Sequence, residues 1–120
     1  MAATVLLEHR LGDGSVHFDW MVERGASLIT FRVMERIDGG EGRRFTAERL
    51  NDHRVAYLTY GGPISGGWGE VRRVAAGSVK IEAETEFEFR VRGELGAAKG
   101  FFGGRPGEDG AWHFEFAAEG

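Results

Sequence analysis

The chain has 120 residues, 42% of them hydrophobic, which is enough for one domain with its own core and predicts a single domain over 1–120. A net charge of −4 excludes a protein that coats nucleic acid through bulk positive charge, although a local basic groove is still compatible with it. The absence of cysteine excludes disulfides and thiolate zinc sites, so any metal must be held by nitrogen and oxygen ligands.

The first ten residues lack a basic n-region and reach Glu8 too early for a secretory signal. No apolar run approaches the roughly 20 residues that span a bilayer. A soluble protein of the cytoplasm with no membrane contact is therefore expected. Thr4–Arg10, Ser15–Glu23 and Ser27–Glu35 alternate with period two and read as three successive strands. Leu11-Gly12-Asp13-Gly14 and Arg24-Gly25-Ala26 connect them and carry the Gly and Asp that tight turns require.

On the second strand, His17 and Asp19 share one face, while Phe18, Trp20 and Val22 take the other. An imidazole beside a carboxylate suits a divalent ion such as Mn, Fe or Zn, and His9 upstream or His53 downstream can complete the set. The plainer alternative is a solvated strand face on which the pair needs no ligand.

Farther along, Phe45–Asn51 reads as a helical turn. Val55–Tyr60, Gly69–Val74, Ser78–Ala83, Glu86–Arg92 and Ala111–Ala117 read as strands. Thr85–Arg92 is the cleanest alternation in the chain, and its aromatics are assigned to the core with Trp112, Phe114 and Phe116. His113 is expected at the surface. Arg43-Arg44 and Arg72-Arg73 are expected as solvated charge, or as the lining of a nucleic-acid path.

The 20 glycines cluster between the short strands, as they do at turns, bulges and corners of a closed sheet. Gly61-Gly62-Pro63-Ile64-Ser65-Gly66-Gly67-Trp68-Gly69 has neither the lysine of a P-loop nor the spacing of a dinucleotide fingerprint. It is expected to shape a loop beside the site. The fold class that follows is all-β: a small antiparallel β-barrel with Gly-rich turns and at most a short helical turn.

Read in order, these segments resemble the 3′-phosphoesterase domain of bacterial DNA ligase D, a manganese-dependent module that processes DNA ends on a small β-barrel. The resemblance is carried by Glu8-His9, then His17-Phe18-Asp19-Trp20, then Asp52-His53-Arg54-Val55-Ala56-Tyr57, then the Gly-rich turn after Tyr60, and finally Phe89 to Leu95. It implies that His9, His17 and Asp19 bind the metal, and the three are expected to gather in the hollow of the barrel. It also implies that His53 and Tyr57 act in catalysis and that Arg44 holds the substrate phosphate.

The cofactor so implied is a divalent metal, Mn first and Zn second. The implied partners are DNA or RNA–DNA 3′ ends, with ligase or polymerase on other chains. An arginine that the family carries two residues beyond the metal Asp is Met21 here, and a Pro-Lys pair falls near Val33-Met34. Two other classes stay open: a barrel of weak or no catalysis that binds nucleic-acid ends or a protein partner, and a non-haem iron oxygenase built on the same His-x-Asp pattern.

Overall fold

The computed structural model describes residues 1–64 and 66–119. It is an antiparallel β-barrel of eight strands with a short ninth strand appended outside. The strands are β1 (Ala2–Arg10), β2 (Val16–Arg24), β3 (Ser27–Val33), β4 (Arg43–Arg54), β5 (Gly62–Pro63), β6 (Glu70–Glu84), β7 (Phe89–Leu95), β8 (Ala98–Pro106) and β9 (Trp112–Ala118). They neighbour one another in the order β1-β2-β3-β4-β9-β8-β7-β6-β5, and β1 also pairs with β6, which closes the barrel and leaves β5 on the rim. Closure removes the open edges that an antiparallel sheet of this length would otherwise present. No helix among the described residues is long and apolar enough to cross a membrane.

The period-two pattern decides which residues face inward. Phe18, Trp20 and Val22 of β2 meet Ile29, Phe31 and Val33 of β3 inside the barrel, together with Phe89, Val91, Phe102, Phe114 and Phe116 from the other side. The Trp20 ring lies 4.9 Å from Phe102 and 5.5 Å from Phe114, centroid to centroid. Aromatic rings fill the interior of a barrel this size without leaving a channel. Buried indole N–H groups need a partner, and Trp20 Nε1 donates to Thr4 Oγ1 at 3.0 Å, which in turn donates to the Met21 carbonyl.

Two glycines make the tight curvature possible. Gly93 and Gly100 pair across β7 and β8 with φ of 151° and 153°. A Cβ on Gly93 would lie 2.3 Å from the Ser78 carbonyl oxygen, and one on Gly100 would lie 2.1 Å from that of Ala117.

Several local expectations are corrected. Phe45–Asn51 is not a helical turn but the middle of β4, because Phe45 and Ala47 alternate into the core while Thr46 and Glu48 face out. Val55–Tyr60 is not a strand. Val55–Leu58 forms a 3-10 turn that packs Tyr57 and Leu58 onto an apolar patch. The two strands expected over 69–74 and 78–83 are one 15-residue strand, β6, whose bulge opposite Leu6 and Leu7 disguises its continuity.

Residues 85–88 belong to a turn closed by Thr85, whose Oγ1 accepts from the amides of Phe87 and Glu88, and Phe87 is exposed rather than core. Strand β8 has no counterpart among the expected elements, since Gly100, Gly103 and Gly104 mask its alternation.

Candidate metal centre

The hairpin β2–β3 sets up the site. Its loop is the two residues Gly25-Ala26 between the pair Arg24 and Ser27, and Gly25 has φ 60°, the sign a type II′ turn requires at its first central position. That corner fixes the whole register, so Asp19 stands directly opposite Arg32. On the other side of β2, the β1 register places His9 opposite His17 and Leu7 opposite Asp19. Four side chains with polar ends therefore meet on one face of three adjoining strands.

That face is the outside of the barrel. The expected position in the barrel hollow is overturned, because Phe18, Trp20 and Val22 already fill the interior from the opposite face of β2. The outer face is nevertheless buried: His17 is 7% exposed and Asp19 only 4%. The cover is the segment from the end of β4 to the start of β6. Its Tyr57, Leu58 and Ile64 pack on Val5, Leu7, Met21, Leu28 and Val71. A small hollow of about 120 Å³ remains beneath it, lined among others by His9, Asp19, Arg32, His53 and Tyr57.

One potential donor atom from each of His9, His17 and Asp19 lies within 4.8 Å of the other two. The hydrogen bonds show which imidazole nitrogens are free. His9 Nε2 lies 2.7 Å from the Trp68 carbonyl oxygen, which can only accept, so Nε2 donates there and Nδ1 is the nitrogen left to ligate. Holding one ring N–H on a backbone carbonyl is how a ligating histidine is normally oriented.

His17 Nε2 is buried and has no hydrogen-bond partner among the described residues. Asp19 Oδ1 stands 3.8 Å away, beyond hydrogen-bond reach. A buried polar atom without a partner is costly, and a cation at this point would supply one. The donor set, two imidazoles and a carboxylate, fits a divalent ion that accepts N and O ligands.

Burial pushes the His17 pKa below its usual value, against the pull of Asp19 and with the help of Arg32 and His9. The neutral imidazole, which is the form that binds metal, is thus favoured. Arg32 Nε donates to Asp19 Oδ1 at 3.3 Å and holds the carboxylate in place.

The structure also brings His53 and Tyr57 to this hollow, with ring centroids 5.8 Å apart. His53 Nδ1 donates to the Asn51 carbonyl at 2.9 Å, which leaves Nε2 as its working nitrogen. The Gly-rich loop lies beside the site as expected, through Ile64 and the Trp68 carbonyl, while Ser65 within it falls outside the described residues.

Arg44 is elsewhere. Its side chain is 87% exposed, pairs with Glu115 at 3.2 Å, and lines a separate hollow of about 740 Å³ on the outer side of β4, β7, β8 and β9. Arg44 pairs with Glu115 on the β4–β9 seam and is absent from the lining of the hollow beside His9 and Asp19, so its implied phosphate role is withdrawn. The arginine that does reach the site is Arg32, which the sequence reading passed over. The signal for it was present in the two-residue hairpin, which makes Asp19 and Arg32 cross-strand partners. His113 is at the surface as expected, 3.4 Å from Asp109. No protein-family model matches the chain, and no curated protein does either.

Proposed function

We propose that the protein is a divalent-metal-dependent phosphoesterase acting on 3′ ends of nucleic acid, with Mn(II) the expected ion. The single observation that carries this reading is the convergence of His9, His17 and Asp19 around the unpartnered His17 Nε2, next to His53 and Tyr57. The ordered resemblance to the ligase D phosphoesterase domain, carried in part by these same residues, supports it. His9, His17 and Asp19 would hold a divalent cation, and the chemistry it would supply there is neutralisation of phosphoryl charge, the principal need of phosphate-ester cleavage.

The protein's own groups do the rest. Hydrolysis adds water to phosphorus, breaks the bond from phosphorus to the leaving oxygen, and delivers a proton to that oxygen. His53 exchanges the proton at Nε2, because Nδ1 is tied to the Asn51 carbonyl and imidazole is the side chain suited to proton exchange near neutral pH. Tyr57 backs His53 edge to face and, with Leu58 and Ile64, keeps bulk water off the cluster. Arg32 holds Asp19 from the neighbouring strand.

The test is incubation with Mn(II) and a primer–template ending in a 3′-phosphate or a 3′-ribonucleotide. Removal of the terminal group by the wild type and its loss in His17→Ala are expected. No product, or full activity in His17→Ala, rejects the reading. Tight binding of 3′-phosphorylated ends without turnover, unchanged in His53→Ala, would instead establish an end-binding barrel.

A further inference from the structure

Arg32 is placed unlike the other arginines near carboxylates. Arg36, for example, spends both Nε and Nη2 on the two oxygens of Asp38, each at 2.8 Å. Arg32 touches Asp19 through Nε alone. Among the described residues its Nη groups meet no carboxylate and no carbonyl, even though Glu48 stands opposite it in the β3–β4 register. The side chain is two-thirds buried, at 33% exposure, and lines the small hollow between Asp19, His53 and Tyr57. The result is a permanent cation on a strand, anchored by one nitrogen, with four N–H donors left over beside the proposed metal ligands.

Guanidinium presents its paired donors in a plane that matches two oxygens of a phosphoryl group. The volume of the hollow, about 120 Å³, sets the other limit. Pockets that enclose a whole small-molecule ligand run to roughly 300 Å³ and above, so a space of this size holds a phosphoryl group and leaves the nucleoside outside. Among the described residues nothing else lining the hollow carries a fixed positive charge: Leu7, Met21 and Val71 line it too, and Met21 is fully buried among apolar neighbours.

We propose that Arg32 is a substrate-binding residue which grips the oxygens of a terminal phosphate monoester through its Nη groups, so that the site prefers a 3′-phosphate to a 3′-ribonucleotide. This rests on the reading of the site as a phosphoester site. It assigns to β3 the phosphate-binding role that Arg44 cannot fill. A dianionic monoester gains most from such a grip, since it offers more charge and more free oxygens than a diester linkage.

The experiment compares wild type, Arg32→Lys and Arg32→Ala in three measurements: Mn(II) affinity, affinity for inorganic phosphate with Mn(II) present, and kcat/KM on 3′-phosphate and 3′-ribonucleotide ends. In Arg32→Ala, phosphate affinity is expected to fall about ten- to a hundredfold, the range for losing a charge-assisted hydrogen bond. Arg32→Lys keeps the charge without the fork and should fall between. Mn(II) affinity should change by less than about tenfold, the lower limit for a residue whose main work is holding a metal ligand.

The preference for 3′-phosphate ends should fall with phosphate affinity. Unchanged phosphate affinity in Arg32→Ala overturns the proposal. So does a loss of Mn(II) binding in step with it, which would make Arg32 a brace for Asp19 only. If Arg32-dependent phosphate binding is found but nucleic-acid ends stay intact, the function proposed above falls and the role of Arg32 stands. If ends are processed equally by wild type and Arg32→Ala, the reverse holds.

Discussion

The two faces of β2 are buried almost equally and do opposite things. Phe18, Trp20 and Val22 look into an interior made almost wholly of hydrocarbon, where the Trp20 ring meets Phe31, Phe89, Phe102 and Phe114. His17, Asp19 and Met21 lie under a thin cover of one 3-10 turn and a Gly-rich loop, and here polar atoms are shut away from water without full compensation. Burial by itself does not separate a core from a site. What separates them is whether the buried atoms satisfy one another: Trp20 Nε1 finds Thr4, whereas His17 Nε2 finds nothing among the described residues. The inner face stabilises the fold, and the outer face gathers polar groups that could hold a metal ion.

The sharpest way to break this contrast is Trp20→Ala. It removes the ring at the centre of the aromatic cluster and is expected to cost about 3–5 kcal/mol in a denaturant titration, a large share of the stability of a single domain.

On the outer face the largest effect comes from adding metal. Mn(II) at about a hundred times its Kd should stabilise the wild type by about 2.7 kcal/mol, read as a rise in melting temperature that a chelator reverses. His17→Leu should abolish that rise. The same variant without metal should be at least as stable as the wild type, because it replaces an unpartnered buried nitrogen with hydrocarbon. A large loss of stability in metal-free His17→Leu would show that the imidazole is structural.

Asp38 sharpens the comparison from a third place. It is buried, and two hydrogen bonds from Arg36 hold its carboxyl below the ordinary carboxylate range. A depressed folded pKa contributes stability that is present above the unfolded value, near pH 4, and is lost as pH falls through the folded value. Asp38→Asn should therefore destabilise the protein by about 1–3 kcal/mol at neutral pH and flatten the acid limb of the stability curve. An acid limb of unchanged slope would assign it to other carboxylates. The smallest effect belongs to Arg44→Ala: an exposed pair with Glu115 contributes within about 0.5 kcal/mol, and phosphate or end binding should not change.

The barrel was legible because inward-facing residues alternate cleanly in β2, β3 and β9 and because glycine marks the corners. Legibility failed where glycine sat inside strands rather than between them. Gly100, Gly103 and Gly104 hid β8, and a bulge split β6 in two. Val55–Leu58 misled for a different reason, since its apolar residues pack on the outer patch from a compact turn, a tertiary choice that local periodicity does not record.

Within the cluster, His17 and Asp19 were readable from the period-two alternation of β2, and His9, His53 and Tyr57 from the ordered resemblance. The outer position was implicit in the apolar set Phe18, Trp20 and Val22, which leaves no room inside for the other face. Arg32 needed a register, and only the length of the corner at Gly25-Ala26 supplies one.

That corner acts as a ruler shared by the core and the site. One residue inserted there would turn β3 over, sending Phe31 outward and Arg32 inward. Two inserted residues would restore the sidedness of β3 yet slide Arg32 away from Asp19, giving a barrel that still folds around Trp20 with its arginine out of reach. Across descendants of this chain, length variation should therefore collect in the connection at Leu11–Ser15 and be scarce at Gly25-Ala26.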